Sequence, residues 1–475
     1  MKKNKKIIFS PRKKNKFSKE NKTLKTEVSY YQKPNALGIK TLDNSKYQID
    51  YPKNILSGLS RQSQITLLEN FAYARLAPLV LVLKDKFKYQ NQKPRLKEFI
   101  DFGVINDLPR FSEVASINTK KLVSQFQKAK KANNLFAKKG FGQKIIGKKP
   151  TLANQAIMSL SFGKDSLLSY GIAKEIGLNC HIAAIDELDQ IECKIKRKIA
   201  ADFSKKEKKS IDFLQDNIDE IFSHPKINKN INELENTNGM LTFLLDLVPL
   251  AFYHQAKYII FGNEKNFDDS FINKYGAKAY PSFDQTSGYT KRLNQNLKSL
   301  TNGQVSVVSL VEPIYNIAEM HILYHRYPKL LKYLMSCSPK KGLKERWCYH
   351  CPMCAKAYLY SVAVGGDPKL IKFNRNFFEK KYQELYPLFS KKIKRNYEKP
   401  PAVKEEQLLA FLLAYRQGAK GALIDLFKKK YLALAEKNEK KLRKKFFAIY
   451  PAKNIPKELK NKVIDIYRQE LKKLV

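Results

Sequence analysis

Nowhere in the chain do about 18 apolar residues follow one another, which excludes a hydrophobic transmembrane helix. The apolar run Ile7-Ile8-Phe9 near the basic start is too short for the core of a signal peptide. With no export signal, the expected compartment is the cytoplasm. No internal repeat is present. Acidic residues are scarce: 44 Asp and Glu face 90 Lys and Arg, leaving a formal charge of +46. Such a charge favours anionic partners. Lysine is spread along the whole chain beside frequent Asn and Ile, however, which reads as compositional drift rather than a dedicated nucleic-acid face. What is plentiful is core material. Apolar residues make up 43% of 475 positions and aromatics 12%, enough for two or more domains.

The first 29 residues are lysine-rich with few core-forming side chains and are expected to be a disordered basic tail. Residues 30–150 read as an accessory domain. Ile65, Leu68, Phe71 and Ala72 give Ser63 to Ala77 a helical period ended by Pro78, and Thr119 to Lys131 reads as a second helix. Residues 151–335 show a sharper pattern. Ala156 to Leu160 fits a buried strand, Ser161 to Ser166 a polar turn, and Leu167 to Ile176 a helix stopped by Gly177. Cys180 to Ile185 is a second strand ending at Asp186 and Glu187, followed by a long polar helical stretch. The apolar helix Gly239 to His254 leads to a third strand, Tyr258 to Phe261, ending at Gly262-Asn263-Glu264. Strands alternating with helices predict an α/β fold with a parallel sheet, whose ligands bind beyond the carboxyl ends of the strands. Residues 368–475 read as helical, with a break at Pro400-Pro401 and an amphipathic helix from Glu405 to Tyr415.

The turn Ser161-Phe162-Gly163-Lys164-Asp165-Ser166 carries the most chemistry. A glycine between strand and helix lets backbone approach an anion, and the helix start supplies free N–H groups and partial positive charge. Ser161 and Ser166 add hydroxyl donors, Lys164 a cation, and Asp165 a carboxylate suited to Mg²⁺ beside phosphates. Gly142 to Lys149 has the spacing of a Walker loop, but it lacks the final Ser or Thr and no strand leads into it. The bland alternative for the turn is a capped helix without a ligand.

Four of the six cysteines gather at Cys337, Cys348, Cys351 and Cys354. The C-x-x-C-x-x-C run with one upstream cysteine suits a closed, tetrahedral Zn²⁺ site over residues 336–367, with an iron–sulfur cluster as the alternative. His350 is expected to face solvent, and Cys180 and Cys193 to be ordinary thiols.

The turn resembles the S-G-G-x-D-S signature of the PP-loop ATP pyrophosphatase superfamily, except that Phe162 replaces the first glycine. There it is expected to narrow the pyrophosphate pocket. The resemblance implies a Rossmann-like domain of the adenine nucleotide α-hydrolase type, with a four-cysteine zinc knuckle and helical terminal regions. It also implies ATP as cosubstrate and cleavage to AMP and pyrophosphate. Catalysis would then rest on Lys164, Asp165 and Glu264. Nucleotide contacts would come from Ser161, Gly163, Lys164, Asp165, Ser166, Asp186, Gly262 and Asn263. Loop and knuckle together resemble 7-cyano-7-deazaguanine synthase. Further landmarks resemble the ATP-dependent UDP-N-acetylmuramoyl-L-alanyl-L-glutamate epimerase family. These are Gly262-Asn263-Glu264, Asp284-Gln285-Thr286-Ser287, Glu312-Pro313, Ser336-Cys337, Arg346-Trp347-Cys348 and Cys351-Pro352-Met353-Cys354. Both families imply adenylation of a small-molecule carboxylate. A tRNA-modifying enzyme and an inactive nucleotide-binding protein are the alternatives. Glu264, Asp284 and Glu312 are candidate bases, while His321 and His325, one turn apart, read as packing residues.

Overall fold

Several strands between Gln155 and Ser309, such as Ala156–Met158 and Tyr258–Phe261, carry apolar residues on successive positions, so their sheet needs a layer of structure on each face. A computed structural model of the protein describes residues 25–475, apart from 84–85, 148–153, 187–189, 226, 228–233, 235–236, 338, 340–344 and 394. Most of the expected basic tail, and Glu187, therefore lie outside the described residues.

The amino-terminal part contributes β1 (Lys25–Lys33), β2 (Ala36–Thr41), β3 (Ser45–Asp50), α1 (Arg61–Leu76), β4 (Lys86–Tyr89), α2 (Lys97–Ala115), α3 (Thr119–Asn133) and β5 (Asn134–Phe136). The middle runs β6 (Gln155–Ser159), α4 (Lys164–Glu175), β7 (Asn179–Asp186), α5 (Gln190–Glu207), β8 (Ile211–Asp216), α6 (Gly239–Tyr253) and β9 (Tyr258–Phe261). It continues with the small hairpin β10 (Phe271–Ile272) and β11 (Lys278–Ala279), then α7 (Ser287–Leu300), β12 (Ser306–Ser309) and α8 (Asn316–His325). Helices α9 (Pro352–Ala363), α10 (Pro401–Arg416), α11 (Ala422–Lys430), α12 (Leu432–Phe446) and α13 (Lys457–Leu471) complete the chain. Among the described residues, no helix is long and apolar enough to cross a membrane.

One sheet takes ten of these strands in the order β12-β9-β6-β7-β8-β3-β2-β1-β4-β5. The five strands from β12 to β8 are parallel, and β3 joins β8 antiparallel through Ile49 and Asp216. The segment 30–150, expected as an accessory domain, thus extends the same sheet. β1 begins at Lys25, inside the stretch expected to be a tail. β8 lies within the stretch whose polarity suggests helix. Its Ile-Asp-Phe-Leu-Gln-Asp sequence is only half-buried and lacks the continuous apolar run of a central strand.

From β6 the chain winds outward through β7 and β8, then returns to the other side of β6 with β9 and β12. The winding direction therefore reverses between β6 and β9, the position where doubly wound sheets open a crevice. Alternate residues divide the core. Ala156, Met158, Ile260 and Val308 meet α4, α8, α9 and the carboxyl-terminal helices on one face. Ile157, Ile259 and Val307 meet α1, α2 and α6 on the other. Each fully buried aliphatic side chain contributes about 1.5–3 kcal/mol.

Glu406 of α10, fully buried, fixes where α8 starts. Its Oε1 accepts from Ile317 N at 2.9 Å and its Oε2 from Asn266 Nδ2 at 3.0 Å, while Asn266 Oδ1 accepts from Asn316 N at 3.0 Å. Replacing Glu406 with Ala leaves Ile317 N and Asn266 Nδ2 without this acceptor and is expected to cost about 3 kcal/mol in urea unfolding. Glu406→Gln, which keeps one acceptor, should lose less; equal losses would contradict the capping role.

Candidate functional site

The segments after β6 and after β9 meet at the reversal point. A Cβ placed on Gly262 would lie 2.6 Å from the Cβ of Asp165, so only glycine allows this approach. Phe162 adopts a left-handed backbone with φ of 61°, a conformation that glycine takes at no steric cost. Its ring is 1% exposed and packs edge-on to Phe203 of α5, centroids 5.8 Å apart. Its carbonyl accepts from Met335 N at 2.8 Å, which brings the chain just before Cys337 against the turn. Ser166 Oγ donates to Gly163 O at 3.1 Å, and Ser161 Oγ lies 3.3 Å from Ser166 Oγ.

Helix α4 begins at Lys164, and its ammonium faces three carboxylates. It pairs with Asp165, lies 3.2 Å from Glu319 Oε2 and 3.9 Å from Glu264 Oε1. One oxygen of each acid can be chosen so that all lie within 4.8 Å of one another. Burial works against the Lys164 charge, but the carboxylates, Asp165 foremost, hold its pKa well above the ordinary value. Burial likewise opposes ionisation of Asp165, yet Lys164 keeps that carboxyl below its usual range. Burial, reinforced by Asp165, pushes Glu264 up to about 8 and Glu319 well above the carboxylate range. The cluster therefore favours the Lys164–Asp165 ion pair, while burial disfavours a negative charge on Glu264 and Glu319.

Glu319 Oε1 is buried without a hydrogen-bond partner. With Lys164 offsetting one of three potential negative charges, a divalent cation would balance the other two, and three carboxylates are a donor set that Mg²⁺ accepts. Asp165, Glu264 and Glu319 are the residues that can hold it. Glu319 escapes a reading of the sequence; its signal is a single acid within the otherwise apolar Ile317-Ala318-Glu319-Met320.

Asp186 lies at the end of β7, where its Oδ2 accepts from Arg197 Nε at 2.7 Å. With Ser161, Phe162, Cys193 and Lys196 it borders a cavity of about 220 Å³ beside the turn. Asn263 is buried, and its carbonyl accepts from Ser309 Oγ at 2.9 Å. Two candidate bases have structural work instead. Asp284 accepts from Met240 N at 2.8 Å and from Ser282 Oγ at 2.6 Å, capping α6. Both oxygens of Glu312 accept from Asn454, one from its backbone N and one from its side chain, each at 3.0 Å. The rings of His321 and His325 lie tilted with centroids 4.3 Å apart, and His325 Nε2 bonds the carbonyl of Val364 at 2.9 Å.

The four cysteine sulfurs form a second cluster. Cys337 to Cys351 is 3.9 Å, Cys348 to Cys354 3.7 Å and Cys351 to Cys354 3.6 Å. Zn–S bonds of about 2.3 Å in a tetrahedron place sulfurs about 3.8 Å apart, so this set fits the ion. His350 instead turns its Nδ1 to the carbonyl of Cys348. Trp347, fully buried, anchors the knuckle by donating to Ile371 O at 2.8 Å. Cys180 is buried in the core, where burial pushes its thiol up to about 12.

No family model and no curated protein matches this chain. What fold and site establish is a doubly wound, mostly parallel α/β protein with a carboxylate–lysine cluster at its switch point and a four-cysteine set that could hold a metal ion.

Two measurements check these assignments. Burial raises the Glu312 pKa from 4.5 to about 7, so the folded state prefers its proton. Its stability cost is absent below the unfolded pKa, grows as pH rises between the two values, and levels above them at up to about 3 kcal/mol. Glu312→Gln should therefore gain stability over wild type with rising pH through that window; a constant difference would refute the shift. Metal analysis of purified protein should find zinc, lost in Cys354→Ser with a lower Tm. Iron with visible absorbance would instead mark a cluster.

Proposed function

We propose that the protein is a PP-loop ATP pyrophosphatase that adenylates a small-molecule carboxylate, most like the UDP-N-acetylmuramoyl-L-alanyl-L-glutamate epimerase family. The observation that carries this reading is the convergence of the Ser161–Ser166 turn with Gly262–Glu264 at the reversal point, around Lys164. The start of α4 provides amides for phosphate oxygens, with Ser161 and Ser166 as hydroxyl donors. Lys164, released from Asp165, pairs with the departing phosphates. Asp165 and Glu319 would hold Mg²⁺, which supplies positive charge to the phosphates when bound.

The substrate carboxylate oxygen attacks the α-phosphorus of ATP. A new P–O bond forms, the bond to the bridging oxygen breaks, and pyrophosphate leaves with that oxygen, giving an acyl-adenylate. Activation acidifies the substrate Cα–H. With Asp284 and Glu312 committed to structural bonds, Glu264 in its ionised form is the base that takes the Cα proton. A proton delivered from water to the opposite face, with the abstracted proton left on Glu264 and then released to solvent, followed by hydrolysis of the acyl phosphate, yields the epimer and AMP.

Pyrophosphate release from ATP and Mg²⁺ tests this with the muramoyl dipeptide nucleotide, 7-carboxy-7-deazaguanine and bulk tRNA as acceptors. The expected result is release dependent on the muramoyl compound, reduced roughly 100-fold or more in Asp165→Ala. Absence of ATP binding would sink the proposal, and release driven by tRNA would move it to the RNA-modifying class.

A further inference from the structure

Among the described residues one phenylalanine stands exposed: the ring of Phe141, after β5, is 55% open to solvent. Burial is the usual place for such a ring. Here the backbone on either side holds it outward. Gly140 takes a left-handed φ of 87°, and its carbonyl accepts from Lys93 N at 3.2 Å. Gly142 N donates to the carbonyl of Lys93 at 2.9 Å, and the Gly142 carbonyl accepts from Arg95 Nε at 3.2 Å. Glycine is needed at 142, because a Cβ there would lie 2.4 Å from Oε2 of the buried Glu69. These bonds set Phe141 opposite Lys93 as a parallel pair. Opposed residues point to the same face, so the Lys93 side chain and the ring share one surface.

From Gly142 the chain runs along α1 to Ser63, whose Oγ accepts from Ile146 N at 3.0 Å and donates to Ile146 O at 3.1 Å. Lys139, Gln143 and Lys144 are exposed on this stretch. Among the described residues, Lys93, Lys139 and Lys144 have no carboxylate partner. Lys138 differs from them, because its charge offsets Glu69, the acid buried beneath the segment. Strands β1, β4 and β5 run opposite to β6, which places the segment at the edge of the sheet away from Lys164. The surface therefore stands apart from the adenylation site proposed above.

We infer that this surface binds single-stranded nucleic acid, with a base stacked on Phe141 and neighbouring phosphates on Lys93, Lys139 and Lys144. An exposed ring among cations offers both halves of such a contact, since every base has a face and every linkage a charge. Lysine alone would not distinguish this place in so basic a chain; the ring does. The backbone bonds fix the ring before binding, so little ordering entropy is lost. A membrane wedge would gather its apolar tips, whereas Gln143 and Lys144 separate Phe141 from Ile146.

Fluorescence anisotropy on the full chain, with labelled strands of about twelve nucleotides, tests the assignment. Oligo-dU and an abasic strand of equal length carry the same phosphates and differ only in their bases. Wild type should bind oligo-dU roughly ten-fold more tightly than the abasic strand. Phe141→Ala should abolish that advantage at an unchanged unfolding midpoint, because the ring belongs to neither core. K93A/K139A/K144A should weaken both strands and reduce the slope of log K against log salt by about two. Lys138 is kept, since Glu69 depends on it. Phe141→Trp supplies a direct signal, because the chain's single native tryptophan, Trp347, is fully buried. Its fluorescence should be quenched by oligo-dU and not by the abasic strand. Oligo-U beside oligo-dU tells which sugar is preferred, and tight binding of either supports the site. Failure of wild type to bind any strand, equal affinity for oligo-dU and the abasic strand, or a base advantage that survives Phe141→Ala would overturn it. Binding to phosphatidylserine vesicles in place of the oligonucleotides, lost in Phe141→Ala, would do the same and make the partner a membrane.

Discussion

The parallel strands β12, β9, β6, β7 and β8 can exist only if both of their faces are covered. Everything else in the fold answers that requirement. The amino-terminal strands lengthen the sheet while α1 and α2 join α6 on one face, and the carboxyl-terminal helices join α4 and α8 on the other. Neither terminal region is an ornament on a central domain. Each supplies the apolar partner without which Ile157, Ile259 and Val307, or Met158, Ile260 and Val308, would face water.

Covering the faces leaves the strand ends free, and the reversal of winding between β6 and β9 opens them. The chemistry gathered there is one lysine among three acids in a desolvated setting. In water such groups would all be charged. Here burial opposes every charge, and the Lys164–Asp165 pair is favoured while ionisation of Glu264 and Glu319 is disfavoured. Glu319 takes part because α8 is docked on Glu406 of α10. A residue far along the chain thereby governs the geometry of the site.

The cysteine knuckle belongs to the same arrangement. Met335 is bonded to the carbonyl of Phe162, and Trp347 locks the knuckle onto the chain at Ile371. A metal held by the four thiolates would tie the turn after β6 and α9 into one rigid body. Its role in that arrangement is positional, because a closed tetrahedral sulfur set leaves no ligand position for water.

Local chemistry is enough to determine several features from the sequence. The strand–turn–helix around Gly163, the strand ending at Gly262-Asn263-Glu264 and the cysteine set all depend on neighbours in the chain, which sequence spacing reports directly. The half-buried β8 offers no continuous apolar run, so its pattern resembles that of the polar helix before it. Asp284 and Glu312 look like bases because a carboxylate at a strand end or before a helix reads the same whether it faces a substrate or a backbone N–H. Only the tertiary structure shows Met240 and Asn454 occupying them. Glu319 lies unseen in an apolar helix. A buried acid is defined by what surrounds it, and those surroundings come from segments distant in sequence.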